Sequence, residues 1–192
     1  MNDKDLEWEL VETKHLIQDE WIDFRENSYK LPDGTVHGSY YNFTRRNYVV
    51  IIAQDTNGDY LCVKQYRHGI RQVTTEFPAG AIENQDYSEM FTEKYIKEVA
   101  LPAAIRELRE ETGYVSDEWK HLVTIPDCAS ISSNYGYIFI ANNCKKAGDL
   151  HLDDTEFLNV YSYTEQEIED MISAGDFPQA VHILAWLLSR RR

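Results

Sequence analysis

Cysteine is scarce in this chain: Cys62, Cys128 and Cys144 are three in number, and none belongs to a Cys-x-x-Cys pair. An odd count without such pairs argues against a disulfide framework and against a zinc site. Cys62 lies in a strand-like run and reads as a core residue. No apolar run approaches the ~20 residues needed to span a bilayer. The N-terminus is polar and acidic, unlike a secretory signal. Together these absences point to the cytoplasm and away from a membrane. Basic residues are also in the minority, 19 Lys and Arg against 33 Asp and Glu, a net charge of −14. A field of that sign repels nucleic acid and anionic membranes. It equally repels a pyrophosphate substrate, so a site for one needs bound metal or local arginines to reverse the potential. Elsewhere the acidic excess serves solubility. No internal repeat or low-complexity segment is present.

What is there fits one domain: 192 residues with an ordinary hydrophobic fraction of 43%, enough for a substantial core. Residues 6–11 and 21–29 have the aromatic and β-branched character of strands. Leu31-Pro32-Asp33-Gly34 is a turn signal, and residues 35–44 return as a strand. These predict an N-terminal β-ribbon over residues 1–46, outside the main sheet. Residues 48–53 form a near-continuous apolar run, as in a strand buried on both faces. Thr56-Asn57-Gly58-Asp59 is a hairpin turn, with residues 60–66 as the partner strand. Further strands are expected at 73–77, 121–125, 137–141 and 157–161. Thr164 is placed to cap a helix that stops at Gly175, and a last helix is expected over 178–188.

The most informative stretch is Ala103-Ala104-Ile105-Arg106-Glu107-Leu108-Arg109-Glu110-Glu111-Thr112-Gly113-Tyr114. Glu107, Glu110 and Glu111 stand at i, i+3 and i+4, on one face of a helix. Three like charges there repel each other. A hard divalent cation turns that repulsion into attraction, since Mg²⁺ and Mn²⁺ prefer carboxylate oxygens. Gly113 is placed to end the helix as a left-handed cap.

This stretch resembles the second half of the Nudix box, G-x5-E-x7-R-E-U-x-E-E-x-G-U, with Tyr114 where an aliphatic residue is usual. Gly80 opens the first half, but Asp86 stands where the pattern has Glu, and nineteen residues (87–105) separate it from Arg106, where the pattern has seven. The excess reads as an insertion at about 87–102 with helical turns of its own, given the spacing of Met90, Phe91, Tyr95, Ile96 and Val99. Glu76-Phe77-Pro78-Ala79-Gly80 and Lys64-Gln65-Tyr66-Arg67 resemble segments that precede the box in ADP-ribose and nucleoside-diphosphate-sugar pyrophosphatases.

The resemblance implies a Nudix α/β/α sandwich over residues 47–192, with a mixed sheet. It implies Mg²⁺, or Mn²⁺ in its place, held by Glu107, Glu110, Glu111 and the Ala79 carbonyl. Arg106 would orient the glutamates. A water activated at the metal would attack phosphorus, releasing a nucleoside monophosphate and a sugar phosphate. Arg67 matches an arginine that holds the diphosphate, and Glu76 and Gly80 go with it to the substrate side. Arg45 matches a second such arginine, with Arg46 the alternative. Trp21 and Tyr40 match aromatic residues that sandwich the nucleobase, with Tyr41 a rival for Tyr40. In those enzymes the ribbon reaches a neighbouring subunit, which implies a homodimer. Many relatives carry a base or metal ligand Glu where Asn134 stands here; an amide cannot take a proton from water, so either a box glutamate is the base or activity is low, and Glu156, in a context that looks more like the entry to a strand, is a weaker candidate. Two alternatives stay open: the same fold acting on another diphosphate (a nucleoside triphosphate, a dinucleoside polyphosphate or a coenzyme), or a non-catalytic nucleotide-sensing domain.

Overall fold

The apolar run expected as a doubly buried strand is β4 (Tyr48–Asp55), in which Val49 to Ala53 are all fully buried. The structure is a computed structural model and describes residues 2–83, 89–152 and 154–191. Asp86 and Tyr87, to which the sequence assigns the first acidic position of the box and the start of the insertion, lie outside the described residues. The chain divides into two units: Met1–Arg46 with Pro126–Tyr135, and Asn47–Ile125 with Gly136–Arg192.

In the first unit β1 (Glu9–Gln18), β2 (Asp23–Lys30) and β3 (Val36–Thr44) form an antiparallel three-stranded sheet. The turn between β2 and β3 is the one expected, with Gly34 at φ +86° and its N–H donating to the Leu31 carbonyl at 2.9 Å. β1 is longer than the sequence suggests, and each of its ten residues is exposed. The 126–135 segment docks on β3: Phe43 N–H donates to the Ile131 carbonyl at 2.9 Å, and the Thr44 and Ser133 hydroxyls meet at 2.6 Å.

In the second unit, β4 and β5 (Tyr60–Arg67) leave the Asn57-Gly58 turn as a hairpin, but only Ala53 and Gln54 of β4 pair with β5. Beyond them the two strands part. β6 (Gln72–Glu76) pairs with β5, and β7 (Ala79–Ala81) pairs with β4, from Tyr48↔Ala81 to Val50↔Ala79. Pro78 bridges the split, its carbonyl accepting the Ile51 N–H at 2.9 Å. The eight-stranded sheet is completed by β8 (Tyr114–Val115), β9 (Glu118–Pro126), β10 (Tyr135–Lys146) and β11 (Leu158–Tyr163), in the order β11-β5-β4-β10-β8 with β9 on β10. β10 runs parallel to β4 and β11 antiparallel to β5, so the sheet is mixed.

Both faces of this sheet are covered. Val50 and Ile52 join Ile138 in a core with Ile168 and Phe177, and with Ala185 and Trp186 of α4 (Ala180–Ser189). Tyr60 and Trp186 meet edge to face at 4.8 Å. Burying such side chains stabilises by ~1.5–3 kcal/mol each. Alternation along β4 points Val49 and Ile51 the other way, where α2 (Leu101–Thr112) packs on β4 and β7. α3 (Glu165–Ala174) begins at Thr164 with the expected cap and ends at Gly175. Among the described residues no helix is long and apolar enough to cross a membrane.

The helical turns expected within the insertion are not separate from the box helix. Thr92 caps a single turn, α1 (Glu93–Tyr95), which passes through a π turn at Ile96–Ala100 straight into α2. Pro102 explains the irregularity: it has no N–H to give to the carbonyl four residues back, and its ring crowds that carbonyl. The wider turn, with Leu101 N–H reaching back to the Ile96 carbonyl, makes the room. Two short strands, β7 and β8, went unseen in sequence because two or three residues carry no periodic signal.

At its C-terminus α2 stops on Gly113 at φ +71°, with Lys146 donating to the Thr112 carbonyl at 2.8 Å. The Lys146 ammonium also lies 5.2 Å over the Tyr114 ring, which accounts for an aromatic residue where an aliphatic one is usual. A Cβ on Gly113 would stand 2.4 Å from the Gly148 carbonyl oxygen. Gly113→Ala meets that clash together with the left-handed backbone cost of ~1–2 kcal/mol, so its melting temperature is expected to fall by at least about 4 °C. An unchanged melting curve would contradict the cap assignment.

Candidate active site

The split between β4 and β5 builds the site. It brings Glu76, at the end of β6, and the Pro78-Ala79-Gly80 turn against the buried face of α2. Glu107 and Glu111, one helical turn apart, are both buried there, at 6% and 2% exposure. Glu110, between them in sequence, is half-buried.

Each carboxylate has a distinct environment. Glu111 Oε2 accepts the Ala79 N–H at 3.0 Å. Glu107 lies flat against Gly80: a Cβ there would fall 2.0 Å from the Glu107 carboxyl carbon. Any larger residue at 80 would have to displace the Glu107 carboxylate from this position. Arg106 bridges the outer side. Its Nη2 donates to Glu107 Oε1 at 2.6 Å and to the Ala81 carbonyl at 3.1 Å, and its Nη1 to Glu110 Oε2 at 2.5 Å. One guanidinium thus holds β7 to α2 and serves two carboxylates. Among the described residues, no three acidic, histidine or cysteine side chains converge to hold a metal ion as they stand, and Arg106 engages both Glu107 and Glu110.

The electrostatics are those of an under-compensated cluster. Burial pushes the Glu107 carboxyl up to about 7 although Arg106 pulls it down, and the charges of Glu156 and Glu110 add to the rise. Burial also holds Glu111 well above the ordinary carboxylate range, against the Ala79 N–H, with Glu107, Glu156 and Glu76 raising it further. Glu156 therefore bears on both buried glutamates. The sequence suggests a plain strand entry for it. In the structure it is half-buried between exposed neighbours just before β11, and upstream of it His151 N–H donates to the Glu110 carbonyl at 2.9 Å. Nothing in the local sequence signals that hydrogen bond, which is tertiary.

Arg67, at the end of β5, is fixed from beneath. Its Nε donates to Glu76 Oε1 at 2.9 Å and Oε2 at 3.2 Å, and its Nη2 reaches Oε1 at 2.9 Å. Glu76 is fully buried, and burial pushes its carboxyl upward against the pull of Arg67. The Arg67 side chain remains 39% exposed. Glu76 is thus the carboxylate under the arginine. A cleft of about 540 Å³ lines the outer face of α2, bounded by Pro102, Ile105, Arg106, Arg109, Glu110 and His151.

The remaining expected residues belong to the first unit. Trp21 is 66% exposed, with the Arg46 guanidinium 5.7 Å over its ring; Arg45 is exposed beside it in sequence. Tyr40 packs with Trp8 at 5.3 Å and Tyr29 at 5.7 Å, and Tyr41 stacks on Phe24. Register pairs Asp23 with Thr44 and Asn27 with Tyr40. Trp21 thus lies beyond one end of the β2–β3 pairing and Tyr40 four residue steps inside it, ~13 Å of strand, so the two rings do not face each other in one chain. Asn134 is buried and hydrogen-bonded to Ser132 in the same unit.

Comparison with known proteins agrees with this architecture. Residues 44–187 match the family model described as the NUDIX domain. The chain is 22% identical over 175 residues to an ADP-ribose pyrophosphatase of Bacillus subtilis (strain 168), covering 90% of this chain and 87% of that one. It is 24% identical over 163 residues to a methanol dehydrogenase activator of Bacillus methanolicus, covering 84% and 80%. The crystal structure of an ADP compounds hydrolase superposes with a TM-score of 0.78 at 18% identity, over 95% of this chain and 92% of that one; at that identity the likeness bears on the fold. With three quarters of its length inside the family model and the glycine-spaced glutamates of the box folded onto the Pro78-Ala79-Gly80 turn, the chain belongs to the Nudix family.

Proposed function

We propose that this Nudix protein hydrolyses the diphosphate bond of ADP-ribose or a related nucleoside diphosphate sugar, giving a nucleoside monophosphate and a sugar phosphate, with Mg²⁺ or Mn²⁺ at the box helix. The observation that carries the reading is the surplus of buried negative charge. Glu107 and Glu111 are buried, Glu156 adds to their repulsion, and the arginine beside them is shared with Glu110. A hard divalent cation is the partner that an all-oxygen donor set of this kind suits. Glu107, Glu110, Glu111 and the Ala79 carbonyl would hold it, once Arg106 releases the glutamates it bridges. Bound there, the cation supplies charge neutralisation for the diphosphate and a more acidic water. The names of relatives such as the Bacillus subtilis ADP-ribose pyrophosphatase support the substrate class.

The chain's own groups then have these roles. Arg67, held by Glu76 along one edge, offers the exposed part of its planar fork to a phosphate. Arg45, with Arg46 as the alternative, gives a second cationic contact. Trp21 and Tyr40 offer aromatic faces to the base. Glu156 takes the proton of the attacking water as that oxygen bonds to phosphorus and the bridging oxygen leaves with the other phosphate. Asn134 has no such capacity, and its amide is already engaged with Ser132. The exposed β1, with Val11 and Ile17 each more than half exposed and Leu10 and Leu16 exposed beside them, supports a homodimer in which a second copy covers these side chains. The net negative charge of −14 supports a protein without nucleic-acid or anionic-membrane partners, and we place it in the cytoplasm.

Three outcomes test this reading. ADP-ribose with Mg²⁺ should yield AMP and ribose 5-phosphate, and Glu111→Gln and Glu156→Gln should each lower kcat by at least about 100-fold, whereas Asn134→Ala should leave it within a few-fold. Turnover unchanged in Glu111→Gln would overturn the metal assignment, and unchanged turnover in Glu156→Gln the base assignment.

The second concerns pH. Glu107 titrates at about 7 in the folded, metal-free chain against an ordinary 4.5. Between those values the folded state binds a proton that the unfolded chain has released, so this stabilising contribution is present below 4.5 and lost as pH rises through 7. Metal-free wild type should therefore lose thermal stability relative to Glu107→Gln between pH 5 and 8, and saturating Mg²⁺ should offset the loss. Parallel pH profiles for the two proteins would count against it. The third is association: light scattering should give a dimer mass for wild type and a monomer mass for Val11→Asp/Ile17→Asp, and an unchanged mass would exclude β1 as the interface.

A further inference from the structure

His182 on α4 is a buried titratable group that none of the roles above uses, with 4% of its surface exposed. Its Nδ1 accepts the Phe77 N–H at 3.1 Å. The amide must donate, so Nδ1 is bare and Nε2 carries the hydrogen. That nitrogen faces Glu76 Oε2 at 3.9 Å, longer than a hydrogen bond and close enough for an electrostatic contact. The ring lies nearly parallel to Phe77, 12° between planes at 6.3 Å, with Phe177 edge-on at 6.5 Å. Burial, and after it the positive charge of Arg67, push the imidazole pKa down to about 3, so the ring is neutral near pH 7.

Both partners of this ring lead into the site. Glu76 is the buried carboxylate that grips Arg67 through Nε and Nη2. Phe77 immediately precedes Pro78-Ala79-Gly80, where the Ala79 N–H holds Glu111 and the Gly80 backbone abuts Glu107. An apolar residue would fill the slot among Phe77, Phe177 and Trp186 equally well. It would leave the Phe77 amide buried without an acceptor and remove the Nε2–H that faces Glu76 at 3.9 Å.

We infer that His182 is a positioning residue: it fixes Arg67 through Glu76 and the Ala79–Gly80 turn through the Phe77 amide, so that the phosphate-binding and carboxylate-holding arms keep one registration. The catalytic part of this inference rests on the proposed pyrophosphatase reading; the mechanical part does not.

The test uses two substitutions on the full chain. His182→Phe keeps the aromatic packing and removes both polar contacts. His182→Asn puts an amide oxygen near the former Nδ1 but does not reach Glu76. Hydrogen exchange of the Phe77 amide and of the Arg67 Nε–H is followed by NMR without substrate, and kcat and KM are measured on ADP-ribose with Mg²⁺. His182→Phe is expected to speed both exchanges by about tenfold or more and to lower kcat/KM by a similar factor. His182→Asn should restore Phe77 protection and most of kcat while Arg67 exchange stays fast and KM stays raised. The inference is overturned if a cooperatively folded His182→Phe matches wild type within twofold in both exchanges, or if His182→Asn rescues nothing that His182→Phe loses. Should His182→Phe fail to fold, His182→Asn decides: fast Arg67 exchange with a protected Phe77 amide supports the coupling, and wild-type behaviour of both refutes it. Should wild type hydrolyse no nucleoside diphosphate sugar, the proposed function falls, and the two exchange rates still decide whether His182 ties the arms together.

Discussion

Two buried glutamates on one face of a helix, with a third beside them, have a single guanidinium among them, which engages Glu107 and Glu110 and leaves Glu111 to a backbone N–H, and the surrounding structure is arranged around that imbalance. Isolated carboxylates resist burial strongly. Here Glu107 and Glu111 tolerate it because Arg106 and the Ala79 N–H meet them, and because burial raises their proton affinity. Negative charge outweighs positive in this cluster. Arg106 is the internal stand-in for positive charge, bound to Glu107, Glu110 and the Ala81 carbonyl together. A cation held by Glu107 and Glu110, as proposed, would compete with Arg106 for their oxygens.

The backbone makes this possible in two places. The parting of β4 from β5 lets β6 and β7 enter the sheet, and this brings the Ala79 N–H and a side-chain-free glycine to the helix. Gly80 leaves the Glu107 carboxylate its place, and Gly113 is required by its left-handed φ and by the Gly148 carbonyl. Behind the turn, the core built on Trp186, Phe177 and Phe77 also carries His182, so the packing layer opposite α2 reaches the site through one imidazole. Stability and site geometry therefore share residues, and substitutions in α4 have consequences beyond packing.

Local features were legible in the sequence where the code is local. The box helix, its Gly113 stop, the Asn57-Gly58 hairpin, the Thr164 cap and the doubly buried β4 each follow from spacing, capping or turn chemistry within about a dozen residues. The mixed sheet and the Nudix fold followed from the motif. What was not legible depends on contacts distant in sequence. β7 and β8 exist because β4 and β10 offer edges to pair with, and three residues of Ala-Gly-Ala have no strand signature. The helical turns before Pro102 merge with α2 because a π turn absorbs the proline, a detail periodicity cannot report. The charge of Glu156 acts on Glu107 and Glu111 although it follows α2 far along the chain, and the Arg67–Glu76–His182 chain joins three elements that no motif links.

The central claim is that this carboxylate cluster is built for a divalent cation. Its most direct measurement is anomalous diffraction from crystals equilibrated with Mn²⁺. The account predicts an anomalous peak in contact with Glu107, Glu110 or Glu111 and the Ala79 carbonyl, with the Arg106 guanidinium withdrawn from at least one of its two glutamates. Crystals at saturating Mn²⁺ with no peak there, and Arg106 still bridging Glu107 and Glu110, would contradict it.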